Sequence, residues 1–189
     1  MNVLALNRIL VVVFGLWAAS VIVPASAQSA RVLTPKGLEP VRIGMTIPAA
    51  EKKLKAKLGR IGAENGFSKE REASASCWLW RRRDNVDPGI SYMTEKGVIV
   101  RIDIWVPLSG VVAAVKTRAG IGIGSPEAEL KTRYGDGLKL VPQPSNPGTK
   151  WGVAERSGQA GLRIEVHDGK VSAMLAGRGP PLDYPEACS

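Results

Sequence analysis

The chain has 189 residues, of which 44% are hydrophobic, 23% charged and 5% aromatic; this excludes a disordered or fibrous protein and limits the chain to one domain or two very small ones. Twenty-six Lys and Arg against 17 Asp and Glu leave a formal charge of +9, which favours acidic partners or anionic surfaces and says nothing about fold. One His and two Cys leave few parts for catalysis.

Residues 1–27 read as a secretory signal. Arg8 supplies the positive start, Ile9 to Val23 the apolar stretch, and Ala25-Ser26-Ala27 the small-residue site for cleavage before Gln28. The alternative is an uncleaved anchor, since Met1 to Val23 is nearly long enough to span a bilayer. Beyond Val23 no apolar stretch is long enough to cross a membrane, so a periplasmic or secreted product with no integral span after cleavage is expected. In an oxidising compartment Cys77 and Cys188 are expected to pair, two buried or mobile thiols being the alternative. The bond would close a loop of 111 residues and tie down a polar tail that otherwise frays.

Residues 28–107 are expected to form an N-terminal unit. Thr46 caps a helix whose apolar stripe is Ile47, Ala50, Leu54 and Leu58, with Lys52, Lys53, Lys55 and Lys57 around it and Gly59 ending it. A polar loop from Arg60 to Ser76 leads to a strand over Cys77 to Arg82. The stretch Gly89 to Val100 alternates on both sides of a glycine turn, as a β-hairpin does. Residues 108–120 are a link to a C-terminal unit, 121–189, that repeats the pattern. Ser125 caps a helix with Pro126 at its first position, Leu130 and Tyr134 share its inner face, and Gly135 ends it. Lys150 to Arg156 then reads as a strand, and Gly161 to Ser172 matches Gly89 to Val100 without gaps. The expected fold class is therefore α+β, a tandem repeat of one helix plus three antiparallel strands with the helices packed on one sheet face.

Ile43-Gly44-Met45-Thr46 followed by a short helix and an antiparallel meander resembles the tandem repeat of secreted β-lactamase inhibitory proteins and the repeat of small outer-membrane-assembly lipoproteins. With Tyr184-Pro185-Glu186-Ala187-Cys188-Ser189 at its end, the chain also resembles uncharacterised exported bacterial proteins carrying a duplicated unit of this kind. The resemblance runs from about Leu38 to the end and rests on glycines, a cap and a turn, so it implies fold more than activity. The second copy departs from it, with Ile123-Gly124 where the pattern has Met-Thr.

Chemistry-bearing motifs are sparse. Neither H-E-x-x-H nor paired C-x-x-C occurs, so no metal and no cofactor are expected. His167 beside Asp168 at a hairpin tip reads as an exposed turn residue, because no G-x-S-x-G accompanies it. Gly120 to Pro126 has neither the lysine nor the spacing of a phosphate loop. The most unusual composition is Cys77-Trp78-Leu79-Trp80-Arg81-Arg82-Arg83, which puts Trp78, Trp80 and Arg82 on one strand face. This is either a cationic binding surface or two core tryptophans with a solvated strand end. Strict alternation along the next strands sends Val98, Val100, Ile102 and Ile104 inward and leaves Ile99, Arg101, Asp103 and Trp105 on the open face. Arg101, Asp103 and Trp105, joined by Trp78, Trp80 and Arg82 across the sheet, form the candidate binding surface, unless the 108–120 link or the C-terminal tail folds over it.

The expected function is that of an exported non-enzymatic binding protein, an inhibitor of an envelope or extracellular enzyme being one form. The runner-up is a structural or assembly component of the cell envelope, and an enzyme of unrecognised type comes third. The expected partner is a protein or an anionic envelope polymer; export argues against nucleic acid.

Overall fold

The computed structural model describes residues 30–61, 76–143, 146–185 and 187–188. The expected signal segment, the anchor alternative and most of the 60–76 loop lie outside them. The described chain is mostly β, in two sheets. The larger is built from β4 (Leu58–Arg60), β5 (Cys77–Arg82), β6 (Ile90–Glu95), β7 (Val98–Trp105), β9 (Val141–Pro142), β10 (Thr149–Ser157), β11 (Ala160–His167) and β12 (Lys170–Arg178). Its order is β4-β5-β6-β7-β12-β11-β10-β9, antiparallel throughout. The smaller has the order β3-β2-β1-β8, from β1 (Arg31–Thr34), β2 (Gly37–Leu38), β3 (Val41–Arg42) and β8 (Val115–Thr117). Among the described residues three short α-helices accompany them: α1 (Ile47–Leu54), α2 (Glu127–Tyr134) and α3 (Pro180–Asp183).

This corrects the expected α+β tandem with helices covering a sheet face. Both long helices have eight residues; α1 buries only Ile47 and Ala50, and α2 only Leu130. Such short stripes cannot cover eight strands, and the small sheet does so instead. Leu33, Leu38, Val41 and Val115 join Tyr92, Ile102, Ile104, Leu162, Ile164 and Met174 in one core. A Cβ on Gly37 of β2 would stand 3.4 Å from Ile102 Cδ1, which shows how closely the layers meet. The expected link 108–120 therefore contains β8, which pairs in parallel with β1, and residues 31–42, whose sequence shows no periodic pattern, supply the rest of the cover.

Helix α1 also ends earlier than its stripe suggests. Lys55 turns left-handed at φ 52°, which frees Leu58 to enter the large sheet as an edge strand opposite Arg82. Glu51 fixes this turn by accepting from the Leu58 N–H at 2.9 Å and from Lys57 Nζ at 3.0 Å, and the Leu58 amide leads the interactions that lower its pKa. Thr46 caps α1 as expected, accepting from Ala49 N. Ser125 does not cap α2; its Oγ accepts from Gly122 N, and Pro126 precedes the helix without a side-chain cap.

The hairpins form where alternation placed them. Lys96-Gly97 and Asp168-Gly169 have φ of 48° and 80°, and 48° and 73°, which suits tight turns between twisted antiparallel strands. Each hairpin carries a bulge just past its turn. Thr94 and Met93 face Ile99 and Arg101, with Val100 left over; Val166 and Glu165 face Val171 and Ala173, with Ser172 left over. The extra residue shifts the phase of alternation. Ile99, expected outward, therefore sits in the inner core, and Val100, expected inward, stays out of it. Both bulges receive a helix start: Gly44 and Met45 exchange hydrogen bonds with Ile99 at 2.7 and 2.8 Å, and Gly124 and Ser125 with Val171 at 2.8 and 2.9 Å.

Candidate binding surface

The register settles which candidate residues share a face. Trp80 lies opposite Tyr92, and Tyr92 opposite Ile102, so Trp78, Trp80 and Arg82 are on the inner face. Trp80 packs against the core and donates from Nε1 to Thr94 Oγ1 at 3.0 Å. The Arg60 guanidinium covers both tryptophan rings, 4.2 Å from the centroid of Trp78 and 5.2 Å from that of Trp80. They are half-buried wall residues. Arg101, Asp103 and Trp105 are on the outer face, so the six expected residues do not form one surface.

Arg101 and Asp103 are also not open. They are 3% and 9% exposed, beneath a C-terminal arm formed by α3 and Tyr184. Arg101 donates to Asp103 from Nε at 2.7 Å and from Nη2 at 3.0 Å, and its Nη1 donates to the carbonyls of Pro181 and Tyr184. Arg163 does the same on β11. Its Nη1 donates to Leu182 O and Tyr184 O at 3.0 Å, its Nη2 to Glu165, and its guanidinium lies over Trp151. A Cβ at Gly161 would come 2.7 Å from Leu182 Cδ2, so glycine there lets the arm lie close to the sheet. The arm ends at Cys188, disulfide-bonded to Cys77 with 5.4 Å between the Cα atoms. Burial raises the pKa of Asp103, prevailing over the charge and hydrogen bonds of Arg101.

Trp105 is different. It lies beyond the arm, 40% exposed, on a cleft of about 240 Å³ between the β5–β6 and β7–β8 loops, lined also by Arg81, Arg82, Asp87, Pro107 and Leu108. Ion pairs stiffen one wall. Asp87 accepts from Arg31 at 2.6 and 3.2 Å and from Arg82 at 3.5 Å, while Arg82 also grips Asp84 at 2.9 and 2.6 Å. Those hydrogen bonds hold the Asp84 pKa down to about 2. Burial pushes the Tyr92 phenol up to about 12, with the Asp87 charge adding to the shift. Arg31 N donates to Ala114 O at 2.9 Å, so Arg31 ties the two loops together.

Most large apolar residues exposed among the described ones gather here: Val86, Trp105, Val106, Leu108 and Val111, with Val32 and Val141 the others. Of these, sequence reasoning singled out only Trp105. The available signal was a breach of loop chemistry, since Val106-Pro107-Leu108-Ser109-Gly110-Val111-Val112 has the turn residues of a loop but the side chains of a core. Among the described residues no group of three or more His, Cys, Asp or Glu is placed to hold a metal ion, and no helix is long and apolar enough to cross a membrane. Comparison with protein-family models, curated proteins and solved structures gave no match.

Proposed function

We propose that the chain is an exported, non-enzymatic binding protein that docks through the Trp105 end of its large sheet. The observation that carries this reading is the gathering of five of the seven large exposed apolar side chains among the described residues at the two loops that flank one cleft. Patches of this kind mark interaction sites on folded proteins. Export is supported by the Arg8, Ile9–Val23 and Ala25-Ser26-Ala27 pattern together with the Cys77–Cys188 bond. A binding role is favoured over catalysis because the carboxylates beside the cleft, Asp84 and Asp87, are engaged by Arg31 and Arg82. The resemblance to inhibitory and assembly repeats is compatible with such a role and selects neither.

The test is capture from an envelope extract by the immobilised exported chain, with Trp105→Ala and Val141→Asp compared against the parent. Trp105→Ala should weaken capture by about 2 kcal/mol, roughly thirtyfold, while Val141→Asp, on the remote edge strand β9, should leave it unchanged. Equal capture by all three chains, or capture lost through Val141, would sink this reading.

A further inference from the structure

The apolar side chains of the Trp105 end stand on loop tips. Leu108 is fully exposed, and Val111 and Val86 are 62% and 64% exposed. Leu108 and Val111 belong to the β7–β8 loop and Val86 to the β5–β6 loop, whose walls meet across the cleft. Burying such projecting groups calls for a soft apolar medium more than for a shaped socket.

Basic residues stand behind these tips. The last turn of α1 leads directly into β4, and Arg83 N donates to Lys57 O at 3.0 Å, bringing the lysines of α1 to the strand end that carries Arg81 and Arg83. Lys52, Lys53, Lys55, Lys57, Arg81 and Arg83 are all exposed. Among the described residues the acids beside Lys52, Lys53, Lys55 and Arg83 are committed elsewhere: Glu51 to Lys57 and the Leu58 amide, Asp84 to Arg82, and Asp87 to Arg31 and Arg82. The result is a cationic shoulder beside an aliphatic tip, with a half-exposed tryptophan at the boundary.

From this juxtaposition we infer that the Trp105 end docks onto an anionic lipid bilayer surface, with Leu108, Val111 and Val86 entering the interface and the shoulder facing the lipid phosphates. The inference rests on the Trp105 end being the docking surface. Each part has a physical role. Aliphatic groups gain from leaving water, an indole is at home at headgroup depth, and Lys and Arg within a Debye length of a negative surface are attracted to it. The Arg31–Asp87 ion pair keeps the two loops together, so little ordering has to accompany docking. Charge complementarity favours this occupant over a protein, since among the described residues the shoulder sets several exposed Lys and Arg side by side, its acids Glu51 and Asp84 being ion-paired, next to a tip whose most exposed side chains are aliphatic.

The experiment uses the exported chain, mixed with vesicles of phosphatidylcholine plus phosphatidylglycerol or of phosphatidylcholine alone, and reads sedimentation together with local hydrogen exchange. The expected result is binding to the anionic vesicles, weakened by salt, with slowed exchange in residues 84–89 and 105–112. Leu108→Asp combined with Val111→Asp should abolish that protection, and Lys55→Gln combined with Arg83→Gln should weaken binding roughly tenfold, both with an unchanged melting temperature. No binding, equal binding to the neutral vesicles, or sedimentation without protection of the two loops would each overturn the inference. If the vesicles leave the loops unprotected while Trp105-dependent protein capture persists, the lipid assignment falls and the docking surface stands. If both fail, the docking surface falls too.

Discussion

On β7, Ile102 is fully buried and its neighbours Arg101 and Asp103 nearly so, yet the two sides of this strand are closed by opposite means. On the inner side, Ile102 and Ile104 meet Leu33, Leu38 and Val41 of the small sheet in an apolar layer. On the outer side, Arg101 and Arg163 hold the backbone carbonyls of Pro181, Leu182 and Tyr184. The apolar face needs only complementary volume from its cover. The charged face needs oxygen atoms at fixed places, and an arm held by four such bonds and a terminal disulfide provides them. The outer cover also stops short of Trp105, which is why the exposed apolar end lies there.

The first way to break this comparison is to cut the arm's tether. The Cys77–Cys188 bond closes a loop of 111 residues, and the chain-entropy model assigns such a loop roughly 4–5 kcal/mol. Cys188→Ser should lower the urea midpoint accordingly and speed hydrogen exchange in residues 180–185 while leaving Ile102 and Ile104 protected. Equal loss of protection on both faces would show that the two covers are one cooperative unit.

A pair of substitutions on one strand sharpens the contrast further. Arg101→Met leaves Asp103 buried beside no partner on its own strand and releases two arm carbonyls, at a cost of about 3–4 kcal/mol. Ile102→Ala opens a cavity in the apolar layer at about 3 kcal/mol. Adding Asp103→Asn to Arg101→Met should recover much of the first loss, because the unpaired charge is gone; no second substitution of that kind can restore the second. If the double variant is as unstable as Arg101→Met alone, the cost lies in the arm contacts and not in the charge.

The inner face was far more legible than the outer. Alternation identifies Ile102 and Ile104 as inward, and local turn chemistry places both hairpins. It failed at Ile99 and Val100, because a bulge inserts a residue without changing composition. It failed for the small sheet because β2 and β3 have two residues each, too short for a period to show, and β1 is partnered through the remote segment β8. The expected surface failed for a related reason. Placing Trp78 and Trp80 beside Trp105 required the register between strands, which no single strand's pattern contains, while Arg101 and Asp103 read as solvated because arginine and aspartate usually are. The disulfide that anchors the tail over this face, by contrast, follows from compartment chemistry.

The smallest expected effect is a pH dependence carried by Asp103. Its folded pKa is raised above the ordinary 3.8 by burial, so between 3.8 and the raised value the folded chain holds a proton that the unfolded chain has released. Stability from this group is present in full below 3.8 and is lost as pH rises through the window. Glu51 and Glu127 work the other way: hydrogen bonds from the Leu58 amide and from Lys150 lower their values below 4.5, so their contribution is lost as pH falls. Both groups are present in parent and variant alike and cancel from the difference between them. The urea midpoint of the parent minus that of Asp103→Asn should therefore shift in favour of the variant as pH rises from 3.8 to 7. A difference that stays flat would mean that Arg101 offsets the burial completely, and that the outer face, despite its charges, is as insensitive to pH as the apolar face beneath it.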